Sequence, residues 1–291
     1  MSDVKTDSLR ITLSRHDIEV DCLVKGDGHP VVMLHGVGGG ASDWSRNEHW
    51  FADRGFRVFT PDLPGHGRSD PPPTGWKARN MSRLAVDILD ALGLESATLV
   101  GHSAGGMLAA HAALDYPERL DALVLVAPAG IQRSVGWTLR LLTIPLVGEF
   151  LLRPNPTTAR TAMVSMFEDA SLIPQDFMDT WIKRRKDPHQ RRFFFRLLRA
   201  GVGIAGTHRD LVYRSQLTDL RPPTLIVWGV EDRVVPIPNG LDDLVEGNPR
   251  TRSMKLSPCG HWPQVEQAER FNTVVTDFLQ AEVGSETSDR S

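Results

Sequence analysis

Short, largely apolar runs recur through the first half of the chain: Val31–Leu34, Arg57–Thr60, Ala97–Val100 and Ala122–Val126. Runs of this length without polar alternation predict strands buried on both faces. Between them, Met81–Leu92 and Ala104–Asp115 repeat apolar residues at helical spacing. Strand alternating with helix predicts a mostly parallel central sheet flanked by helices, an α/β fold. The rhythm breaks from about Ile131 to Gln216, where helical patterns carry Pro145, Pro154, Pro156, Pro174 and Pro188 and no comparable strand is visible. It resumes with Thr224–Trp228 and Arg252–Leu256 and closes on a helix from Glu266 to about Glu282. The simplest architecture is an α/β core (1–132 and 217–283) with a helical lid (133–216) inserted after the sixth strand. Residues 284–291 are small and polar and are expected to form a disordered tail.

Composition narrows the function classes. The 291 residues suffice for one α/β domain with an insertion, and 41% hydrophobic with 24% charged residues is ordinary for a soluble chain. A formal charge of −3 argues against a nucleic-acid binder. Cys22 and Cys259 are far apart and form no C-x-x-C pair, so neither a disulfide framework nor a redox motif is expected. Met1–Arg10 lacks the apolar core of a secretory signal, which points to the cytoplasm. The apolar stretch Val135–Leu152 contains Arg140, Pro145 and Glu149, so an amphipathic helix pair over a pocket is expected rather than a membrane span. His16, His29, His49, His66, His111, His189 and His208 lack ligand-like spacing, so no metal is expected. No cofactor is expected. The expected partner is a small-molecule substrate, with a homodimer left open.

The chemistry concentrates in three segments. Gly101-His102-Ser103-Ala104-Gly105 fits G-x-S-x-G, after a strand and before a helix. The glycines permit a sharp turn that holds Ser103 in a strained conformation, its hydroxyl above the sheet at a helix N-terminus. A serine hydroxyl needs a base to become a nucleophile. His261, in the loop after the last predicted strand, is the candidate base. Asp232, directly after the strand ending at Trp228, is the candidate acid that orients it. Glu231 is a rival by adjacency. All three positions follow strand ends, so the side chains should gather at the carboxyl edge of the sheet. An oxyanion would be held by the backbone N–H of Ala104 and by one from the loop His35–Gly40: Val37, with Gly38 the alternative. The same loop, Gly36-Val37-Gly38-Gly39-Gly40-Ala41, also fits a relaxed dinucleotide fingerprint, but no clear acidic residue ends a second strand about twenty residues later.

These motifs, with Asp62–Ser69, Tyr116–Arg119 and Trp228–Asp232, resemble the α/β-hydrolase superfamily over essentially the whole core. The order Ser103, Asp232, His261 is the triad order of that fold. Within the superfamily, Cys259–Glu266 followed by Phe271-Asn272, and Asp169–Ile173 in the lid, resemble the meta-cleavage-product hydrolases, which break a carbon–carbon bond in ring-opened aromatic dienoates. Two positions depart from that pattern. His102 stands where the subfamily has asparagine, and Trp181 where it has a lid arginine that grips the substrate carboxylate. Arg184 or Arg185, one turn on, is the candidate replacement.

The residues expected to line the substrate pocket are Trp262, His102, Trp181 and Met107, with Phe193–Phe195 and Trp137 also available. From Arg153 to Arg214, 12 Lys and Arg stand against 6 Asp and Glu, a net of +6 that either attracts an anionic substrate or forms a solvated face. The leading expectation is a serine hydrolase cleaving a carboxylic ester of a small apolar or aromatic substrate. Carbon–carbon cleavage of a 2-hydroxy-6-oxo-dienoate is the alternative. A non-catalytic relative serving as ligand receptor or accessory protein is the third.

Overall fold

The computed structural model describes residues 7–72 and 81–284. The expected tail therefore lies outside the described residues, apart from Gly284. Eight strands form one sheet: β1 (Asp7–Leu13), β2 (Ile18–Lys25), β3 (His29–Leu34), β4 (Phe56–Pro61), β5 (Ala97–His102), β6 (Leu120–Val126), and, beyond the insertion, β9 (Thr224–Gly229) and β10 (Thr251–Leu256). Their spatial order is β1-β2-β4-β3-β5-β6-β9-β10. From β4 to β10 the strands pair in parallel, whereas β1 pairs antiparallel with β2 and β2 antiparallel with β4. The chain steps from β3 to β4 in one direction and then returns past β3 to β5. That reversal opens a crevice at the carboxyl ends of β3 and β5, where open α/β sheets place their sites.

Period-2 alternation accounts for the double-sided core. Val32, Leu34 and Leu99 face one hydrophobic cluster, while their neighbours Val31, Met33 and Val100 face the other. The first face is covered by α2 (Met81–Ala91) and α3 (Ala104–Asp115). The second is covered by α1 (Glu48–Ala52) and the last helix.

After β6 the chain leaves the sheet for a helical insertion: α4 (Trp137–Leu142), α5 (Val147–Leu151), α6 (Pro156–Val164), α7 (Gln175–Lys186) and α8 (Pro188–Gly201). Two of the prolines that interrupt the sequence pattern start helices here. Pro156 and Pro188 occupy first-turn positions, capped by Asn155 and Asp187, whose side chains accept from Thr158 N–H and from His189 and Gln190 N–H. The core then resumes with α9 (Leu241–Glu246), α10 (Pro263–Glu266) and α11 (Ala268–Val283).

Three features differ from the sequence expectation. The antiparallel β1–β2 pair was not anticipated. The insertion holds a two-residue strand pair, β7 (Val202–Gly203) with β8 (Gly206–Thr207). The closing helix, α11, is as expected but is preceded across Gln267 by a separate short helix, α10. Among the described residues no helix is long and apolar enough to cross a membrane.

Candidate active site

Strand β5 runs into α3 through a single residue, Ser103, held at φ 54° and ψ −114°. Left-handed φ is costly for a residue with a side chain, so the surroundings must enforce it. Ser103 N–H donates to Val126 O at 2.9 Å, and Ser103 O accepts from Ala129 N–H at 3.0 Å. A Cβ at Gly101 would lie 2.4 Å from Gly105 O, and one at Gly105 would lie 2.3 Å from Leu34 O. Both flanking glycines are thus required for backbone approach.

The loops after β9 and β10 bring Asp232 and His261 together. His261 Nδ1 donates to Asp232 Oδ2 at 2.7 Å, and the two residues are only 3% and 5% exposed. Asp232 is otherwise satisfied by Val234 N–H (2.8 Å), Val235 N–H (2.9 Å) and Trp228 Nε1–H (3.3 Å). That donor set fixes the geometry of the buried carboxylate. Using Nδ1 for Asp232 leaves Nε2 of His261 for proton transfer. Glu231, the rival acid, turns the other way and accepts from Cys259 N–H and Ser257 Oγ–H, both at 2.7 Å.

His102, next to Ser103 in the chain, links that turn to the His261 loop. Its Nε2–H donates to His261 O at 2.8 Å. Because that partner is a carbonyl, Nε2 carries the hydrogen and Nδ1 is an acceptor. Nδ1 has no partner although buried, and it lies 3.3 Å from where a Cβ on Gly36 would stand, beside Ser103 Cβ. Burial, and then nearby His261, pushes the His102 pKa well below the ordinary histidine range, so the ring stays neutral.

The loop after β3 closes the crevice from the other side. Gly36, Val37, Ser103 and Ala104 line a common cavity whose space, mouth included, is about 1190 Å³. Gly38 is not available as an oxyanion donor, because its N–H is spent on His66 Nε2 at 3.0 Å. His66 Nδ1 lies 3.2 Å from Leu63 O, and His35 accepts Leu63 N–H at 2.9 Å while its Nδ1 donates to Gly36 O at 2.8 Å. Burial lowers both histidines' pKa values. Beyond Gly40 the chain makes only the short 3-10 turn Ala41–Trp44, which is no helix N-terminus for a pyrophosphate.

Of the expected pocket residues, Met107 lines the cavity, as does Phe193. Trp262, His102 and Trp181 do not. Trp262 packs tilted against His102 (ring centroids 4.4 Å apart, planes at 37°), and Trp181 donates from Nε1 to Ala159 O at 3.0 Å within a cluster shared with Phe167 and Phe177. Trp137 is 65% exposed. The remaining lining comes from Leu63, Leu84, Val135, Leu139, Leu197 and Arg196 among others, residues that periodicity marks as core or surface without locating a cavity.

The two arginines of α7 part company. Arg184 pairs with Asp43 at 2.6 Å and reaches Ser42 Oγ at 2.7 Å. Arg185 is 2% exposed, its guanidinium 3.9 Å from the Trp181 ring and 4.2 Å from the Phe194 ring, with Nη2 3.4 Å from Gly38 O. Its Nε has no partner, and burial, helped by adjacent Arg184, lowers its pKa to about 9.

Comparison with known proteins gives the family. Residues 29–268 match the family model for the alpha/beta hydrolase fold. The chain is 35% identical to a 2-hydroxy-6-oxo-6-phenylhexa-2,4-dienoate hydrolase of Comamonas testosteroni, covering 88% of this chain and 89% of that one. It is 37% identical to a 2-hydroxy-6-oxononadienedioate/2-hydroxy-6-oxononatrienedioate hydrolase of Paraburkholderia phymatum, covering 86% of each. Among solved structures, the meta-cleavage product hydrolase CumD of Pseudomonas fluorescens IP01 superposes with a TM-score of 0.77 at 26% identity, covering 96% of this chain and 98% of that one. The parallel sheet, the strained turn at Ser103 and the family match over most of the chain make it a hydrolase belonging to the α/β-hydrolase fold family.

Proposed function

We propose that this hydrolase cleaves a carbon–carbon bond in ring-opened aromatic dienoates of the 2-hydroxy-6-oxo type, with Ser103 as nucleophile, His261 as base and Asp232 as the acid that orients it. The observation that carries the catalytic part is the buried His261–Asp232 hydrogen bond, tied through His102 to the strained Ser103 turn. The relatives favour this substrate class over the carboxylic ester expected from the sequence, since those at 35% and 37% identity are both named as hydrolases of such compounds.

The reaction asks for three things. A nucleophile must add to the 6-oxo carbonyl, and Ser103 Oγ does so as His261 Nε2 takes its proton. The developing oxyanion must be held, and the N–H groups of Ala104 and Val37 do this at the cavity wall. The departing carbon must carry away the electron pair of the broken C5–C6 bond: the 2-hydroxyl proton first moves to C5 to give the 2-oxo tautomer, the pair released on cleavage delocalises onto the 2-oxygen, and that oxygen takes the proton held by His261 to give the 2-hydroxydienoate. Water then releases the acyl half from Ser103.

The chain offers both ends of such a substrate a place. The apolar walls from Met107, Leu139 and Phe193 suit the group carried on the 6-oxo carbon, with the insertion acting as a lid. Two buried polar atoms without partners lie just behind the cavity wall, His102 Nδ1 an acceptor and Trp262 Nε1 a donor, and would meet the dienoate end where the wall yields to substrate. Arg185, in place of the subfamily's arginine at the Trp181 position, supplies the charge for the carboxylate. The purified protein is to be incubated with 2-hydroxy-6-oxo-6-phenylhexa-2,4-dienoate and the products separated. Benzoate and 2-hydroxypenta-2,4-dienoate in equal amounts are expected. An unconsumed dienoate, with p-nitrophenyl esters turned over, contradicts the proposal and restores the ester reading.

A further inference from the structure

The loop that carries His261 is anchored at every backbone amide from Cys259 to His261. Cys259 N–H donates to Glu231 Oε2 at 2.7 Å, Gly260 N–H to Glu266 Oε1 at 3.1 Å, and His261 N–H to Met166 O at 2.8 Å. Two of these three anchors involve the insertion. Met166 belongs to it outright. Glu266, from α10, also accepts Glu168 N–H on both oxygens, at 3.1 and 3.2 Å. One buried carboxylate therefore bridges the base-bearing loop and the insertion. The two surfaces approach so closely that a Cβ on Gly260 would lie 2.5 Å from Met166 O and 2.9 Å from Glu168 N. Phe167 lies parallel to Trp262, ring centroids 6.4 Å apart and planes 15° apart, and Arg233, beside Asp232, pairs with Glu168 at 2.7 Å.

We infer that Glu266 is a positioning residue for His261, which it serves by clamping the Gly260–His261 loop onto the Met166–Glu168 segment of the insertion. The inference rests on the proposed role of His261 as base. The physical reason is geometric. His261 Nδ1 is fixed by Asp232 on the core side, but the height of its ring over Ser103 follows the backbone of residues 260 and 261. That backbone hangs from the insertion through Met166 O and from Glu266. A displacement of about 1 Å in a reacting group costs on the order of a hundredfold in rate. This edge of the insertion is thus part of the catalytic frame, and substrate enters from elsewhere along the cavity.

The test compares Glu266→Ala, Glu266→Gln and Gly260→Ala with wild type, using 2-hydroxy-6-oxo-6-phenylhexa-2,4-dienoate and p-nitrophenyl butyrate, with kcat referred to folded protein by circular dichroism. Glu266→Ala should lower kcat about a hundredfold with KM within about twofold, because no cavity wall is touched. Glu266→Gln should recover about tenfold of that loss, since its amide oxygen still accepts one N–H while its NH2 opposes the other. Gly260→Ala, which pushes the insertion off the loop without touching the carboxylate, should reproduce the kcat loss. Fluorophosphonate labelling of Ser103 should slow in parallel. A residue serving stability alone would leave kcat per folded molecule unchanged. Ser103→Ala is run alongside: if it is inactive while Glu266→Ala and Gly260→Ala keep wild-type kcat, the clamp is overturned alone. If Ser103→Ala keeps its activity, the assignment of the nucleophile falls, and this inference with it.

Discussion

At the rim of the sheet, Asp232 and His261 are 5% and 3% exposed, and both oxygens of the carboxylate are occupied. In α4, α5 and the turn between them, Trp137, Phe150 and Leu146 are 65%, 58% and 82% exposed, and Leu146, just before α5, sits at φ 65°. The rim is built from loops suspended on buried parallel strands, so each side chain is placed by several backbone bonds. Among the described residues the insertion packs chiefly in two small clusters that it shares with the core, one of Phe177 and Trp181 with Trp262 and Val265, the other of Phe195 and Leu198 with Val37. On the proposed reading rate belongs to the rim and selectivity to the insertion, and the Met166–Glu168 edge joins the two.

The largest effect expected from breaking the rim is loss of the nucleophile. Ser103→Ala should lower kcat by about a millionfold, read as loss of dienoate turnover and of fluorophosphonate labelling. Asp232→Asn keeps the shape but removes the charge that fixes the His261 tautomer, and kcat should fall about ten-thousandfold in an otherwise folded protein. Wild-type turnover in that variant contradicts the assignment. Val37→Pro deletes the N–H proposed for the oxyanion and should cost about a hundred- to a thousandfold in kcat. On the insertion side the effect should move to binding. Arg185→Met keeps the stack between Trp181 and Phe194 but removes the charge, which should raise KM for a dienoate about ten- to a hundredfold and leave KM for an uncharged ester unchanged. Equal loss on both substrates would mean that Arg185 only supports the Gly38 loop.

The smallest effect concerns acid. His35, His66 and His102 are held neutral, chiefly by burial, with pKa values below the usual figure of about 6.5. Unfolding lets each of them take up a proton that the native state rejects. Their contribution is fully present above about pH 6.5 and is lost as pH falls from there toward the folded-state values. Urea midpoints measured from pH 7.5 downward should fall over that range. In His66→Gln, whose amide oxygen can still accept Gly38 N–H, the decline should be shallower.

How much of this was legible in the sequence follows the same division. The parallel strands announced themselves because a strand buried on both faces is continuously apolar, as Ala122–Val126 is. The β1–β2 pair escaped because β1 is buried on one face only and alternates, Leu9, Ile11 and Leu13 with Arg10 and Thr12 between them. A period-2 search would have found it. Ser103, Asp232 and His261 could be named because a motif and strand order locate them. The cavity could not be located, because whether an apolar side chain lines a void or fills a core is decided by packing. Thus Trp262, Trp181 and His102 are buried beside the void rather than in its wall, and Gly38 proved to be spoken for by His66, twenty-eight residues away. Glu266 carried no signal in its residue type; its meaning lies in two amides, Gly260 and Glu168, that meet only in the fold.

The most direct test of the central claim is the ratio of kcat/KM for 2-hydroxy-6-oxo-6-phenylhexa-2,4-dienoate to that for the best of a p-nitrophenyl ester series, measured on wild type and on Ser103→Ala. The account predicts that wild type prefers the dienoate at least tenfold and that both activities vanish together in the variant. A preference for the ester, or dienoate cleavage that survives the loss of Ser103, would contradict it.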